Sequence, residues 1–368
     1  MTLPPIGYAA RPAAVRAALD GATLVVSTPS NVRWLTSFGG SLGWVVIGPD
    51  RFALVTDGRY ADRAAADLVA AGLDAEILVG TTRPQIRDHV VAAASTGTGA
   101  VLGEAGHLTH AAWTDLATDL QLAADAGTIT RLRRLKDEGE LARMAKAAAI
   151  ADEALTAVVP MLADTPTEAD VRDELEHRMR RLGADGPSYD TIVASGPDNA
   201  ARPHHQTGRR TIVEGDTVII DVGALVDGYH SDMTRTFVVG PPTTQQAEIY
   251  ELVREAQLAG LAAIAPGVAT RDVDAACRDL FTGAGYADWF IHGTGHGVGL
   301  DIHEDPFAST VSTDELLVGD VVTVEPGLYR GGFGGVRIED LVAVTADGGR
   351  RLTHLSKDTP CLPSPPTT

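Results

Sequence analysis

The sequence predicts two domains, an α/β domain over residues 1–131 and an α+β domain over residues 138–360. A chain of 368 residues is long enough for about two domains. Up to residue 130, short apolar segments alternate with alanine-rich segments, which is the pattern of alternating strands and helices. After a charged junction at 131–139 (RLRRLKDEG), amphipathic segments and glycine-rich strand segments follow in separate blocks, which is typical of an α+β domain.

Short runs of apolar and β-branched residues predict the strands of the first domain. They are Thr23–Ser27, Trp44–Gly48, Phe52–Thr56, Ala75–Gly80 and Ala100–Gly103. The turn residues Gly48-Pro49-Asp50 separate the second of these from the third, so we expect a hairpin there. The segment Arg59–Ala71 is rich in alanine and predicts a helix. We see no cluster of catalytic residue types in this domain.

Three helices are predicted in the second domain. Glu140–Leu162 is long and amphipathic. Thr165 is expected to cap the next helix, with Glu168 closing a capping box. Thr243 and Gln246 show the same capping pattern in front of a third helix.

A repeated pattern links two segments of the second domain, 213–221 (VEGDTVIID) and 317–325 (LVGDVVTVE). Each contains Gly-Asp, then mostly apolar residues, then a carboxylate, and each precedes a second strand segment that ends in another carboxylate. The carboxylates concerned are Asp221, Asp232, Glu325 and Glu339. The repeat predicts two related half-domains, each of which contributes a strand pair and its acidic residues to one place.

An acidic residue at the end of a strand is ordinarily solvated, and that is the simplest explanation for any one of these carboxylates. Their occurrence at corresponding places in two half-domains favours a single site that gathers all of them. Gathered carboxylates repel one another unless cations neutralise them. Because oxygen-rich ligand sets suit ions such as Mn²⁺, Co²⁺ or Zn²⁺, the sequence predicts a divalent metal site.

Histidines cluster in the same part of the chain. Those between residues 200 and 305 are His204, His205, His230, His292, His296 and His303. An ordinary core or surface role is expected for any single one, but the spacing in 291–304 (IHGTGHGVGLDIHE) favours a site for the group. The glycines there match neither a phosphate-binding loop nor a dinucleotide-binding loop, since no Gly-Lys-Ser/Thr occurs and the glycine spacing differs.

Four motifs of the second domain together resemble the "pita-bread" dinuclear metallopeptidases, the family of methionine aminopeptidase, Xaa-Pro aminopeptidase and Xaa-Pro dipeptidase (prolidase). They are DVGALVDGYHSDMTRTF at 221–237, HGTGHGVGLDIHEDP at 292–306, VEPGLY at 324–329 and GVRIED at 335–340. NVRWLTSF at 31–38 and LVTDGRY at 54–60 are similar to the N-terminal domain of creatinase and of the proline-specific members. The resemblance implies a creatinase/prolidase-like α/β domain followed by an α+β pita-bread catalytic domain.

The resemblance also implies a site for two divalent metal ions, and we expect Mn²⁺, with Co²⁺ and Zn²⁺ as alternatives. Asp221 corresponds to the ligand that binds one ion with both oxygens, and Asp232 and Glu339 correspond to the carboxylates that bridge the ions. His296 and Glu325 complete the implied ligand set. A water between the ions would lose a proton near neutral pH and act as the nucleophile. Glu325 would take that proton and pass it to the leaving nitrogen, as a general base and acid.

Further residues are implied around the ions. His204, which follows a proline, corresponds to the catalytic histidine on the substrate side, and His303 corresponds to the one that stabilises the tetrahedral intermediate. His292 is expected to line the proline pocket, and Arg337 is expected to orient the bridging carboxylates. The implied substrate-binding residues are His204, His292, His303 and Arg337. The residues left open between a supporting role and ordinary packing are Tyr229 and Thr234.

The complete ligand set favours an active enzyme over an inactive peptide-binding scaffold of the same fold. The N-terminal domain points to the proline-specific members, because methionine aminopeptidases usually lack it. A dipeptidase must bind the C-terminal carboxylate of its substrate, usually with arginine, and the loop 305–317 (DPFASTVSTDELL) contains neither arginine nor lysine. We therefore expect an Xaa-Pro aminopeptidase acting on peptides with proline at the second position, with an Xaa-Pro dipeptidase as the alternative.

Composition narrows the class of partner. A net charge of −19 and an isoelectric point near 4.9 argue against nucleic acid or an anionic membrane as a partner. Cys277 and Cys361 lie too far apart in sequence to indicate a disulfide framework, which suits a reducing compartment. Residues 1–16 lack the apolar segment of a signal peptide. We expect a cytoplasmic protein, and the family resemblance implies a homodimer.

Overall fold

The computed structural model describes residues 2–362. They divide into two units, residues 4–133 and residues 134–362, and residues 2–3 are grouped with the second unit. The division lies between Arg133 and Arg134, within the charged junction. Over residues 2–362, no helix has the length and apolar character that crossing a bilayer requires.

The first unit is built on a six-stranded mixed sheet with the strand order β4-β3-β2-β1-β5-β6. Its strands are β1 (Thr23–Val26), β2 (Trp44–Gly48), β3 (Arg51–Asp57), β4 (Glu76–Gly80), β5 (Val101–Gly103) and β6 (Leu122–Ala124). Strand β2 pairs antiparallel with β1 and β3, and the remaining neighbours are parallel. The predicted strands and hairpin are confirmed, and β6 was not predicted.

Helices of the first unit follow or precede these strands along the chain. They are α1 (Arg11–Leu19), α2 (Pro29–Thr36), α3 (Ala61–Ala70), α4 (Arg83–Ala94), α5 (His110–Leu116) and α6 (Thr128–Arg133). The predicted helix is confirmed as α3. Sequence analysis missed α1, α2 and α4, each of which has a proline in its first turn, where a missing N–H breaks no helical hydrogen bond. Ile86 and Val90 of α4 pack with Val46 and Val55 in the core of this unit.

The strands of the second unit form small antiparallel sheets, in the orders β12-β9-β8, β14-β13-β15-β18-β19, β11-β10-β7 and β16-β17. They are β7 (Gly186–Pro187), β8 (Ile192–Ser195), β9 (Thr217–Asp221), β10 (Ala224–Val226), β11 (Tyr229–His230), β12 (Thr234–Val238), β13 (Gly295–Gly297), β14 (Glu304–Ala308), β15 (Val321–Val324), β16 (Gly327–Arg330), β17 (Gly334–Arg337), β18 (Asp340–Thr345) and β19 (Gly348–Arg351). The antiparallel arrangement agrees with the α+β class predicted for this part of the chain.

Two cores organise the helices of the second unit. The helices are α7 (Glu138–Val158), α8 (Glu168–Arg181), α9 (Gly196–Asn199), α10 (Thr244–Ala262) and α11 (Thr270–Gly283). Apolar residues of α7 and α8 share one core with β9, and those of α10 and α11 share another with β15 and β18. The predicted helix 140–162 is α7, which ends at Val158 and continues as a 3₁₀ turn over Val159–Asp164.

The predicted cap of α8 is wrong by two residues. Thr165 has a left-handed backbone conformation, with φ of 54°, and ends the preceding 3₁₀ turn, so it cannot also start a helix. Thr167 is the cap: its hydroxyl accepts the N–H of Asp170, whose carboxylate accepts the N–H of Thr167 at 2.9 Å. The other predicted capping box, of Thr243 with Gln246, is confirmed.

The repeated Gly-Asp of the sequence is a turn that starts a strand in each half of the second unit. Gly215 and Gly319 have φ of +89° and +99°, which favour glycine. Asp216 accepts the N–H of Val213 at 2.9 Å, and Asp320 accepts that of Leu317 at 2.7 Å. Each aspartate also pairs with an arginine, at 2.5 Å in the first half and 2.7 Å in the second. The two turns are therefore alike in hydrogen bonding as well as in sequence.

The strands that follow these turns pair as the repeat predicts, β9 with β12 and β15 with β18, both antiparallel. Asp221 lies opposite Thr234, near the start of β12, and Val324 lies opposite Asp340, at the start of β18. The second carboxylate of each half therefore lies just before β12 or β18, beside the end of the first strand. This register brings the acidic residues of each half to one end of its strand pair.

We predict that Thr167→Ala lowers the free energy of unfolding by about 1 kcal/mol, because the first turn of α8 loses its cap. The matched control is Thr165→Ala, which removes no cap and replaces a β-branched residue in the left-handed region, so its effect should stay within about 0.5 kcal/mol. Urea unfolding of both variants measures the difference. A larger loss at residue 165 than at residue 167 would contradict the cap assignment.

Candidate metal centre

The predicted ligand residues meet in one cavity of about 910 Å³ in the second unit. They are Asp221, Asp232, His296, Glu325 and Glu339. One ligand atom from each of Asp232, His296 and Glu339 lies within 4.8 Å of the others. The His296 Nε2 atom is 3.6 Å from Asp232 Oδ2 and 3.4 Å from Glu325 Oε1. The ends of β9 and β15 and the residues just before β12 and β18 supply the carboxylates, and β13 supplies the histidine.

His296 is oriented by its own strand. Its Nδ1 atom lies 3.0 Å from the carbonyl oxygen of Gly297, which can only accept a hydrogen bond, so Nδ1 carries the proton. The lone pair of Nε2 then faces the carboxylates. The strand holds this position because Gly295 comes close to β15, where a Cβ atom would lie 2.1 Å from the carbonyl oxygen of Thr323.

Burial and mutual repulsion disfavour the charged forms of these carboxylates. Burial, followed by the charges of Asp221 and Glu325, raises the pKa of Asp232 well above its ordinary value. Burial, followed by the charge of Asp232, does the same to the pKa of Glu339. A cavity that gathers such groups around one imidazole nitrogen has the donor chemistry of a divalent ion site, and the described residues therefore fit such ions.

Arg337 lies behind the carboxylates, 3% exposed. It donates hydrogen bonds to Asp221 Oδ2 at 2.6 Å, to Thr234 Oγ1 at 2.9 Å and to the Tyr329 hydroxyl at 3.0 Å. The Thr234 hydroxyl donates in turn to Glu339 Oε2 at 2.7 Å. Burial opposes its charge, but Tyr329 and Asp221 outweigh burial and raise the pKa of Arg337. The arginine thus orients Asp221 directly and Glu339 through Thr234.

The sequence left the roles of Thr234 and Tyr229 open, and in the structure the two residues have different surroundings. Thr234 is part of the hydrogen-bond chain from Arg337 to Glu339. Tyr229 instead donates to Glu140 Oε1 of α7 at 2.8 Å, away from the cavity.

Tyr189 is a residue of the site that sequence analysis missed. Its hydroxyl lies within hydrogen-bond distance of both Asp221 and Asp232. Burial, with the charges of Asp221 and Asp232, raises the pKa of Tyr189, so the phenol keeps its proton and can donate it. The residue precedes β8, which pairs with β9 so that Ile192 lies opposite Asp221. Only this pairing connects Tyr189 to the ligands, and the sequence carries no signal for it.

The histidines predicted to contact substrate all line the same cavity. His204 is exposed in the loop after α9, and the His303 ring lies 4.4 Å from the His296 ring, centroid to centroid. Burial lowers the pKa of His303. Both histidines therefore face the space beside the carboxylates.

His292 is bound at both ring nitrogens. Its Nδ1 lies 2.7 Å from the Gly293 carbonyl oxygen and its Nε2 lies 3.0 Å from the Tyr329 hydroxyl. Burial lowers the pKa of His292, so the neutral ring donates to the carbonyl and accepts from the tyrosine. With both nitrogens engaged, the ring has only its carbon atoms left to present to the cavity that it lines.

The remaining wall of the cavity comes from the end of β14 and the loop after it. The strand contributes Phe307 and Ala308, and the loop contributes Ser309, Val311, Ser312, Thr313 and Asp314. Among the described lining residues, the one arginine or lysine is Arg337, which is engaged with Asp221. This side of the cavity is therefore apolar, neutral or acidic.

Known families match both parts of the chain. The profile of Metallopeptidase family M24 matches residues 142–346, and that of the Creatinase/Prolidase N-terminal domain matches residues 10–135. A Bacillus subtilis peptidase named YqhT is 38% identical over 340 residues, which cover 92% of this chain and 95% of the relative.

Solved structures are similar over nearly the whole chain. An Xaa-Pro dipeptidase from Bacillus anthracis has a TM-score of 0.91 at 35% identity, covering 96% of this chain and 100% of that structure. An X-Pro aminopeptidase from Thermotoga maritima has a TM-score of 0.86 at 27% identity, covering 94% and 99%.

We predict that Tyr189→Phe weakens divalent metal binding by about 10- to 100-fold, because the substitution removes a donor that orients two of the carboxylates. Calorimetric titration of chelator-treated protein with Mn²⁺ measures the change. Tyr250→Phe is the matched control, since the Tyr250 hydroxyl donates to the carbonyl oxygen of Lys357 at 3.1 Å and Tyr250 is not among the described residues that line the cavity. Equal Mn²⁺ affinities for the two variants would contradict the role of Tyr189.

The stability of the metal-free protein should depend on pH. Because the folded state raises the pKa of Asp232 and Glu339, it binds more protons than the unfolded chain at pH values above their ordinary pKa of about 4. The free energy of unfolding should therefore fall as pH rises from about 4 through the raised pKa values, and added Mn²⁺ should remove this loss.

Urea unfolding of chelator-treated protein at stepped pH tests this dependence. Asp232→Asn removes one of the interacting charges, so the stability of that variant should change less steeply with pH. A wild-type profile no steeper than that of the variant would be the contrary result.

Proposed function

The chain belongs to metallopeptidase family M24, and we propose that it is an Xaa-Pro aminopeptidase, which hydrolyses the bond between an N-terminal residue and a following proline. Its architecture is a creatinase/prolidase-like α/β domain followed by a pita-bread catalytic domain. Membership of this family makes the chain a metal-dependent hydrolase of peptides. The observation that carries the proposal is the cavity in which four carboxylates and one histidine converge beside further histidines.

We propose that two divalent ions bind to Asp221, Asp232, His296, Glu325 and Glu339. Mn²⁺ is the ion that we expect, with Co²⁺ or Zn²⁺ as alternatives, because the donor set alone does not select among them. When bound, such ions lower the pKa of a coordinated water and polarise the carbonyl group of the scissile bond.

The side chains around the ions supply the proton transfers. Glu325, whose side chain is 19% exposed and faces the cavity, is placed to accept the proton of the attacking water and to deliver it to the leaving prolyl nitrogen. His303 and His204 can donate hydrogen bonds to the oxygen of the carbonyl under attack. The neutral ring of His292, held by Tyr329, forms an apolar wall for the proline ring.

The wall formed by the loop after β14 supports an aminopeptidase. The free carboxylate of a dipeptide calls for a cation, and arginine is the usual partner. The described lining offers Arg337 alone, and that guanidinium already pairs with Asp221 at 2.6 Å. A longer peptide presents a neutral amide at the same position, which the serine and threonine side chains of this loop can bind.

Xaa-Pro dipeptidase activity is the second candidate. It is favoured by the similarity to the Bacillus anthracis protein, a solved Xaa-Pro dipeptidase that shares 35% of its sequence with this chain. In that case imidazoles of the cavity would take the place of arginine in binding the carboxylate.

We also propose a cytoplasmic homodimer that binds neither nucleic acid nor membranes. The separated cysteines and the net charge of −19 support the location and the absence of such partners. The homodimer rests on the family resemblance alone and stays a prediction.

Hydrolysis of matched peptides tests the proposal. With Mn²⁺ added, we expect Ala-Pro-Phe to be cleaved at the Ala-Pro bond with a kcat/KM at least about 10-fold above that for Ala-Pro, since the described lining residues include no arginine or lysine free to bind the dipeptide carboxylate. The control is Glu325→Ala, which should fold and yet show no turnover, and which excludes a contaminating peptidase. Cleavage of the dipeptide alone would favour the dipeptidase, and cleavage of neither peptide would contradict both.

A further inference from the structure

Glu168 is one of the completely buried carboxylates outside the metal centre. Glu168, at the start of α8, is 0% exposed and does not cap its helix. Its Oε1 accepts hydrogen bonds from the N–H of Ser195 at 2.8 Å, the Ser195 hydroxyl at 2.7 Å and the Asn199 amide at 3.0 Å. Its Oε2 accepts from His205 Nε2 at 3.0 Å and from the N–H of Gly208 at 3.3 Å. The carboxylate of Glu168 therefore binds four residues between positions 195 and 208.

The partners of Glu168 lie at both ends of the segment 195–208. Ser195 and Asn199 lie at its beginning, and His205 and Gly208 lie at its end. Between them is His204, which lines the catalytic cavity. The two adjacent histidines thus face different surroundings, since His205 is 8% exposed and bound to the carboxylate while His204 is exposed to the cavity.

We propose that Glu168 and His205 are positioning residues that hold His204 at the reacting carbonyl of the substrate. The inference rests on the role proposed above for His204. Neither residue touches the cavity carboxylates, and both act through the backbone of one loop. The loop is also attached to the centre at Pro203, whose carbonyl oxygen accepts from Arg337 at 3.0 Å, so small displacements of its other end turn the side chain of His204.

The negative charge of Glu168 strengthens its hydrogen bonds to the segment 195–208. Burial opposes ionisation of Glu168, but the hydrogen bonds from Asn199, Ser195 and His205 lower its pKa, so it accepts as a carboxylate. Bonds to a charged acceptor are stronger than those between neutral groups. A glutamine at this position would turn its NH₂ group toward N–H donors at one of the two ends and release that end.

A double-mutant cycle separates positioning from general stability. We expect Glu168→Gln to lower kcat/KM for Ala-Pro-Phe by about 10- to 100-fold in the wild-type background and by less than about threefold when His204 is alanine, because the carboxylate then has nothing to position. Bound Mn²⁺ should be unchanged. Glu174→Gln, on the same helix and paired with Arg178 at 2.6 Å, is the control that should retain activity. Equal losses in both backgrounds, or loss of Mn²⁺, would overturn the proposal.

Variants of His205 provide a second test of the proposal if Glu168→Gln fails to fold. His205→Gln keeps an N–H donor and should retain most of the activity, whereas His205→Leu should lose as much as Glu168→Gln. The rate at which diethyl pyrocarbonate modifies His204, relative to His303, reports the loop without any turnover. A changed relative rate in His205→Leu supports positioning even if the wild type cleaves no proline peptide, which would refute the proposed function alone. An unchanged rate together with equal activities of the two variants would refute positioning.

Discussion

The arrangement of the candidate metal centre in the second unit depends on repulsion between buried carboxylates. Asp232 and Glu339 are 5% and 1% exposed, and each lies beside further acidic residues at a strand end. Without cations such an arrangement can persist only by holding protons, which is what the raised pKa values of both residues mean. The strand pairs, the turns that start them and the side chains behind them all serve to keep these charges together for a partner of opposite sign.

The side chains that surround the carboxylates are hydrogen-bond donors, because acidic residues that repel one another need donors to hold them in place. Arg337 donates to Asp221 and, through Thr234, acts on Glu339, while Tyr189, which precedes β8, can donate its one hydroxyl proton to Asp221 or Asp232. The same arginine reaches the Tyr329 hydroxyl, which in turn bonds His292. A single chain of hydrogen bonds therefore connects the proposed metal ligands to the wall proposed for the proline ring. Orientation of ligands and shaping of the substrate site depend on the same buried groups.

The sequence predicted that the four carboxylates lie together because one pattern is repeated in it: a Gly-Asp turn, an apolar strand and a carboxylate occur twice, at 213–221 and 317–325. His296 was predicted from the family resemblance. It did not predict Tyr189, since the pairing of β8 with β9 is set by packing at long range. The prediction of the residue that caps α8 was wrong for a local reason. Thr165 and Thr167 are each followed by an acidic residue three positions later, and only the left-handed backbone at Thr165 decides between them. Glu168 was assigned to a cap for the same reason, although its partners lie up to 40 residues away.

If the two halves of the repeat together hold a pair of cations, the number of metal ions bound per chain reveals it. Chelator-treated protein would be titrated with Mn²⁺ in a calorimeter, and the bound metal would be measured by mass spectrometry after gel filtration. We expect about two ions per chain, since four carboxylates and one imidazole exceed the needs of a single divalent ion. Tight binding of one ion with no second site, or of none, would contradict it.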